Sequence, residues 1–333
     1  MDILQRPFYK PNNRLLSLVG LWPYQDKKSR LYRLYFLNVF SFSFPLYINI
    51  YIYIYIYIFD LNQMRRLLDN IIVDWNIWDT KEEMDIIKRY AEEGRLYTLA
   101  YTSETTVLFL SISFMPLLLD VIIPLNESRP LQPIVLGEYL VDQSDHFYLI
   151  FIHMATTILM AMTIVIATDT QFFVFTSHAC GVFSVEKEKE KITPDQFVNL
   201  IESSFSTPLL VQCGINVACL SVSLYRMTTL LGMSTETFKY VAFLAAQLFH
   251  IFCICYSGQR IIDHSSETFS KAYNGPWYEA PLGIRKLLLL VIKRGTRPIK
   301  LTGDRSHIYL ILHVPVLGEL IDISHLNVKK KNK

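Results

Sequence analysis

The chain has 333 residues, of which 51% are hydrophobic and only 19% are charged, whereas about 25% of the residues of an average soluble domain are charged. Its 32 basic and 30 acidic residues nearly balance, which excludes the strongly basic face that nucleic-acid-binding proteins need. The hydrophobic residues form long runs without charges, and such runs are typical of helices that cross a lipid bilayer. We therefore predict an all-α protein that spans the membrane several times and binds no nucleic acid.

The first 33 residues form a basic segment with seven Lys and Arg side chains. Its hydrophobic stretch, Leu15–Leu21, is too short for the core of a signal peptide and lacks a small-residue cleavage site. Because positively charged segments tend to stay on the cytoplasmic side of a membrane, we predict that residues 1–33 are a cytoplasmic N-terminus.

Uncharged runs between residues 34 and 259 predict a transmembrane helical bundle. The runs are 34–59, 105–119, 146–168, 203–225 and 240–259. A span requires about 20 apolar residues, and the second run reaches this length only if its bordering acids, Glu104 and Asp120, lie near the lipid headgroups. A last run at 306–318 is too short and is followed by Glu319 and Asp322. We therefore expect five or six complete spans, followed by a divergent segment at 306–333.

The polar segments orient this bundle. Residues 260–305 contain nine basic and four acidic side chains, which predicts a cytoplasmic segment. Residues 120–145 are acidic, rich in proline and contain the sequon that begins at Asn126. These features predict an extracellular loop that is glycosylated at Asn126. Three runs separate the two segments, as opposite sides of the membrane require.

The first run is inconsistent with this topology. Residues 60–95 are also expected in the cytoplasm, so an even number of spans should separate them from the N-terminus, yet only the run 34–59 lies between. Residues 47–58 read Tyr-Ile-Asn-Ile followed by four Tyr-Ile pairs, as a translated AT dinucleotide repeat would. A lone alternating strand cannot span a bilayer, because its backbone groups would be unpaired. Either a span is missing here, or the run re-enters from the same side.

No motif of a known enzyme class occurs in the chain, and we predict neither an enzyme nor a bound cofactor or metal. Cys253 and Cys255 lie close to His250 in sequence, but positions i and i+2 point to different faces of a helix. Asp169 interrupts a hydrophobic stretch at 146–185, and an acid inside a membrane is a functional candidate. The favoured interpretation is an acid at headgroup level or one that packs between helices.

Several sequence strings together resemble the insect odorant receptor family, most closely its hymenopteran branch. The strings are Leu21–Tyr24, Tyr90–Leu96, Pro124–Pro130, His178–Gly181, Gly258–Gln259, Ile262–Ser266, Tyr273–Gly275, Trp277–Tyr278, Arg285–Leu289, Arg297–Pro298 and Leu301–Thr302. The resemblance extends from about residue 15 to residue 303, and its C-terminal part is the most specific.

This resemblance implies a seven-helix fold with a cytoplasmic N-terminus, the reverse of a G-protein-coupled receptor. It also implies a tuning subunit that forms an odorant-gated cation channel with a common co-receptor, as a heterotetramer. Such a receptor would act in olfactory sensory transduction at the plasma membrane of the olfactory neuron dendrite.

The resemblance also implies two sets of functional residues. A small volatile ligand would bind in an apolar pocket in the outer half of the bundle, lined by Phe114, Met115, Phe147, Phe151, Met154, Phe243 and Gln247. Contacts with the co-receptor would form in the cytoplasmic assembly segment 260–305, around Tyr273, Trp277, Tyr278 and Arg285.

Three departures from the family pattern favour an alternative interpretation. The Ile-Tyr repeat stands where the family has its second helix, much of a long intracellular loop is absent between Phe183 and Gln196, and the last helix is not recognisable after Thr302. These departures leave open a non-functional or assembly-competing truncated receptor. A G-protein-coupled receptor is less favoured, because the chain lacks an Asp-Arg-Tyr triplet, an Asn-Pro-x-x-Tyr motif and an extracellular cysteine pair.

Overall fold

The computed structural model describes residues 2–41, 60–78, 80–122, 145–185, 194–229, 235–274, 302–303 and 308–309. Within these ranges a 3₁₀ turn, Asp2–Gln5, precedes seven α-helices. The helices are α1 (Lys10–Leu18), α2 (Lys27–Ser41), α3 (Leu61–Ile77), α4 (Lys81–Ile122), α5 (Phe147–Val185), α6 (Pro194–Thr229) and α7 (Thr235–Asn274). Thr302–Gly303 pairs antiparallel with Ile308–Tyr309 as two short strands, β1 and β2. The prediction of an all-α architecture is confirmed, apart from this small pairing.

Three helices of the described chain contain segments long and apolar enough to cross a membrane. These segments are Phe147–Val185 in α5, Gln196–Thr229 in α6 and Tyr240–Glu267 in α7. They contain the predicted runs 146–168, 203–225 and 240–259. The run 105–119 lies in the C-terminal part of α4, while 42–59 of the first run and all of the last run except Ile308–Tyr309 lie outside the described residues. Most of the predicted loop 120–145 also lies outside them.

Local side-chain signals start α3 and α4. The carboxylate of Asp60 caps α3 by accepting hydrogen bonds from the backbone N–H groups of Asn62 (2.8 Å) and Gln63 (3.4 Å). Thr80 and Glu83 form a reciprocal capping box at α4, in which each side chain accepts the backbone N–H of the other. Such caps satisfy N–H groups that a helix leaves unpaired at its start. Helix α4 therefore begins in a charged region that hydropathy alone does not mark as helical.

Glycines allow α4 and α5 to pack closely. A Cβ atom at Gly94 of α4 would lie 3.2 Å from the Cβ of Ser177, and one at Gly181 of α5 would lie 3.1 Å from Cδ1 of Ile87 and 3.2 Å from Cβ of Tyr90. Small residues at such positions let two membrane helices approach to backbone distance. The helices α4 and α5 therefore pack closely against each other.

The N-terminal segment is part of the core. Tyr9 is 3% exposed and its hydroxyl accepts a hydrogen bond from the indole Nε1 of Trp75 in α3 (2.9 Å). The guanidinium of Arg6 lies 4.7 Å from the centre of the Trp75 ring, in a cation–π contact. Burial raises the pKa of the Tyr9 hydroxyl. Further along, Nδ2 of Asn12 donates to Oγ1 of Thr170 in α5 (2.8 Å). The basic N-terminus is therefore folded against α3 and α5.

A Schellman motif ends α1 and directs the chain into α2. Gly20 adopts a positive φ of 75°, its N–H donates to the carbonyl of Ser17, and the N–H of Leu21 donates to the carbonyl of Leu16. Glycine is favoured here because side chains disfavour a left-handed backbone. The guanidinium of Arg33 in α2 also donates to the Ser17 carbonyl. The start of α2 is thereby held beside the end of α1.

Candidate functional site

A buried polar cluster joins the four long helices. It consists of Tyr101 of α4, Asp169 of α5, Gln212 of α6 and His250 of α7. The hydroxyl of Tyr101 donates to Oδ2 of Asp169 (2.8 Å), and Nε2 of Gln212 donates to Oδ1 of Asp169 (3.1 Å). Asp169 thus accepts hydrogen bonds from two other helices. We call these four side chains the polar cluster.

His250 completes the polar cluster. Its Nδ1 lies 2.8 Å from the Tyr101 hydroxyl and 3.6 Å from Oδ2 of Asp169, and its Nε2 lies 2.6 Å from Nε2 of Gln212. A neutral ring with its proton on Nδ1 fits all of these contacts, because Nδ1–H then donates to Tyr101 while Nε2 accepts from the Gln212 amide. Each of the four side chains therefore bonds to at least two others.

Three of the four side chains of the polar cluster are removed from solvent, and the fourth, His250, is 15% exposed. Tyr101 is 3% exposed, and Asp169 and Gln212 are each 2% exposed. Asp169, Gln212 and His250 all lie within segments suited to crossing a membrane. Polar groups buried in such a segment are costly unless they are hydrogen-bonded to one another. Asp169 therefore packs between helices, as the favoured interpretation allowed.

Sequence reasoning singled out Asp169 but missed its partners. Gln212 and His250 are polar residues inside otherwise apolar runs, which is the signal that could have found them. Tyr101 lies four residues before the run 105–119 and carries no such signal. Near His250, the described residues contain no group of three or more acids, histidines and cysteines that could hold a metal ion. All five cysteines are free thiols.

Closer to the C-terminal ends of α5 and α7 than the polar cluster, a second set of polar contacts links α4, α5 and α7. The guanidinium of Arg260 binds the Glu93 carboxylate at 2.6 Å and lies 5.2 Å from the centre of the Tyr97 ring. The Tyr90 hydroxyl lies 2.9 Å from Nε2 of His264 and accepts a hydrogen bond from Ser184 (2.9 Å). Several of these residues belong to the strings that carry the family resemblance, so the strings mark contacts between helices.

A third set of polar contacts, a buried pair of side chains, connects α3 to α5 near the C-terminal end of α5. Nε2 of His178 in α5 lies 3.1 Å from Oδ2 of Asp74 in α3, with 2% and 6% of the two side chains exposed. The His178 ring also packs against the rings of Trp78 and Phe197. The family-like string His178–Gly181 thus contributes a packing glycine and a buried histidine that contacts Asp74 to one face of α5.

The structure brings together part of the predicted ligand pocket. Phe151 of α5 makes an edge-to-face contact with Phe114 of α4, with 5.8 Å between ring centres, and lies 5.9 Å from Phe147. Met154 is 1% exposed and lies one turn further along α5. These residues form an apolar layer between α4 and α5, which we call the aromatic layer.

The contacts found within the described residues do not link the other predicted site residues to the aromatic layer. Phe243 of α7 is 37% exposed, and Oε1 of Gln247 is buried with no hydrogen-bond partner in the described part of the chain. Met115 and Tyr273 lie in α4 and α7, but their side chains are outside the described residues, as are Asn126, Trp277, Tyr278 and Arg285. The ligand, assembly and glycosylation roles of these residues stay predictions.

Comparison with known sequences identifies relatives of this chain. The family model described as 7tm Odorant receptor matches residues 193–305. Odorant receptor 85f of Drosophila melanogaster is 27% identical over 128 residues, which are 38% of this chain and 31% of the relative. The Odorant receptor coreceptor of the same species is 24% identical over 138 residues, 41% of this chain and 28% of the relative. The alignments thus cover less than a third of these relatives.

A solved structure matches over nearly the whole chain. It is the insect olfactory receptor OR5 from Machilis hrabei in complex with eugenol, with a TM-score of 0.72 and 14% identity, and the match covers 98% of this chain and 99% of that one. At this identity the likeness establishes the fold alone, which is a helical bundle of the multi-pass membrane type. The family model, the curated relatives and this structural likeness together support the resemblance to the insect odorant receptor family.

Proposed function

We propose that the chain is a tuning subunit of an odorant-gated cation channel, which binds a small volatile molecule between its helices and assembles with an odorant co-receptor at the plasma membrane of the olfactory neuron dendrite. The main support is the likeness of nearly the whole chain to a solved olfactory receptor, which was determined with eugenol bound. The similarity to odorant receptor coreceptors supports a hetero-oligomeric channel.

The aromatic layer is the part of the described structure best suited to hold such a ligand. Phe114, Phe147 and Phe151 present apolar rings to one another, with Met154 one turn away. Burial of a volatile among them would contribute about 25 cal/mol per Å² of apolar surface removed from water. The unpaired Oε1 of Gln247 would accept a hydrogen bond from a ligand hydroxyl and thereby orient it.

The polar cluster is suited to couple the ligand to the gate. His250 lies three residues from Gln247 on α7 and bonds to Tyr101 and Gln212 on two other helices. A ligand that displaces α7 near Gln247 would therefore strain bonds to α4 and α6, rather than move one helix alone. The displacement would reach the cytoplasmic end of α7 and the assembly segment around Tyr273, Trp277, Tyr278 and Arg285.

The experiment is a current recording from cells that express the chain with the co-receptor during exposure to a panel of volatiles. We expect Phe151→Ala to raise the half-maximal ligand concentration by about tenfold, as a loss of about 1.4 kcal/mol of contact energy would. The matched control is Leu149→Ala on the same helix, where the side chain is 69% exposed and the response should not change.

Two results would contradict the proposal. Equal shifts in the Phe151 and Leu149 variants, at equal surface expression, would remove the aromatic layer from ligand binding. Absence of current from the unaltered chain, together with a reduced current from a second tuning receptor expressed alongside it, would favour the assembly-competing alternative. That alternative is motivated by the Ile-Tyr repeat at 47–58 and by a family match that ends at residue 305.

A further inference from the structure

We propose that the start of α2 is a binding site for an anionic phospholipid. Lys28, Leu31, Tyr32 and Tyr35 are all exposed and follow the i, i+3, i+4, i+7 spacing that places residues on one face of a helix. Exposure reaches 67% at Leu31, 72% at Tyr32 and 68% at Tyr35. We call these four side chains the α2 stripe.

The opposite face of α2 packs on the protein, so the orientation of the stripe is fixed. Leu37 is 7% exposed, and Leu34 packs against the core. Arg33 donates to the carbonyl of Ser17 at the end of α1. Since these contacts hold the helix from one side, the stripe faces outward, where a membrane protein meets lipid.

The order of side chains along the stripe matches the polarity of a phospholipid. Lys28 stands at one end with the exposed Lys27 beside it, while Asp26 is the acid that precedes them. Leu31, Tyr32 and Tyr35 follow over about 10 Å of helix, and the uncharged run of the first span begins at Leu34. Cations beside a span attract anionic headgroups, and tyrosines favour the boundary between headgroups and acyl chains.

This order argues for a lipid rather than a protein partner. A phosphate and an acidic headgroup would lie against Lys27 and Lys28, neither of which forms an ion pair within the described residues. The glycerol backbone would lie beside Leu31 and Tyr32, one turn from Lys28, and an acyl chain would extend past Tyr35. The gradient from cations to tyrosines and leucine runs along the axis of the helix, as the polarity of one membrane leaflet does.

The test uses the full-length protein in nanodiscs of phosphatidylcholine, with or without phosphatidylserine as a minor component. Native mass spectrometry counts the phosphatidylserine molecules that stay bound, and a titration of this lipid measures its apparent affinity. We expect Lys28→Gln to weaken that affinity about fivefold, as loss of one surface cation would. Tyr35→Ala should weaken it too, although it changes no charge.

The control variant is Lys10→Gln, which removes an exposed cation from α1 and should retain the affinity of the unaltered chain. An equal loss in the Lys10 and Lys28 variants would mean a general effect of net charge and would overturn the site. Binding of water-soluble glycerophosphoserine as tightly as the lipid would also overturn it, since the stripe would then contribute nothing. Unchanged melting temperatures in pure phosphatidylcholine show that the variants are folded.

Discussion

The aromatic layer and the polar cluster hold the same helices together by different physical means. In the aromatic layer, Phe114 is 38% exposed and its contact with Phe151 is a ring-to-ring contact without directional hydrogen bonds. In the polar cluster, Asp169 is 2% exposed and accepts hydrogen bonds from Tyr101 and Gln212 on two other helices, and both of these contact His250 on a third. Dispersion contacts tolerate small displacements, whereas a buried hydrogen bond is costly to break.

This difference would serve the proposed function, in which a ligand is admitted at one level and its presence is transmitted from another. Ligand-binding elements are drawn from the less stable parts of proteins, and a partly exposed aromatic contact between two helices meets that description. A set of hydrogen bonds shared by four helices makes these helices move together. The adaptable aromatic layer and the polar cluster that couples the helices therefore lie at different levels along α4 and α5.

The largest expected effect tests the difference in burial between Phe175 in the core and Phe114 in the aromatic layer. Phe175 of α5 is fully buried and packs against Phe197 and Phe205, so Phe175→Ala should lower the free energy of unfolding by about 4 kcal/mol. Phe114→Ala removes the same atoms from a partly exposed site and should cost about 1 kcal/mol. Denaturant titration in mixed micelles measures both. Equal losses would show that the aromatic layer is as tightly packed as the core around Phe175.

The next largest effect concerns the polar cluster. Asp169→Leu leaves the donors of Tyr101 and Gln212 without their acceptor, and we expect a loss of about 3 kcal/mol in the free energy of unfolding. Asp169→Asn keeps one acceptor oxygen and should lose less. If both variants unfold like the unaltered protein, the hydrogen bonds contribute nothing to stability and the proposed coupling element has no physical basis.

A smaller effect tests whether close packing of α4 and α5 sets the position of the polar cluster. Gly181→Val introduces a Cβ close to Ile87 and Tyr90 and should cost about 2 kcal/mol through overpacking. At Gly214 of α6 a Cβ would meet no atom within 4 Å, so Gly214→Val should change stability by less than about 0.5 kcal/mol. Thermal unfolding of the two variants side by side makes the comparison, and a reversed order would contradict the packing described for Gly181.

Hydropathy predicted α5, α6 and α7 well, because each contains a long uncharged run. The uncharged run of α5 ended at residue 168, just before Asp169, although the hydrophobic stretch continued to residue 185, where α5 ends. A charge ends a hydropathy window, but a charge paired inside a bundle does not end a helix. Hydropathy also missed the charged N-terminal half of α4, because the start of this helix depends on the Thr80 and Glu83 capping box rather than on hydrophobicity.

The site was less predictable than the fold. The contacts among Phe114, Phe147 and Phe151 involve residues that resemblance to the family had selected, although their role in ligand binding is still a prediction. The polar cluster requires the rotation of four helices about their axes to be known, since Tyr101 and Asp169 are 68 residues apart and Tyr101 and His250 are 149 apart. No local sequence pattern contains that information.

The cap at Asp60 has a consequence for how this gene tolerates replication slippage. The Tyr-Ile pairs at 47–58 have the form of a dinucleotide repeat, in which only gains or losses in multiples of three units keep the reading frame, each set of three adding or removing one Tyr-Ile pair. Asp60 starts α3 through its own side chain, and Asp74 anchors that helix to His178. Both contacts lie downstream of the repeat, so alleles with more or fewer Tyr-Ile pairs should keep α3 in the same register. Length polymorphism in this stretch would then be confined to the segment before residue 60.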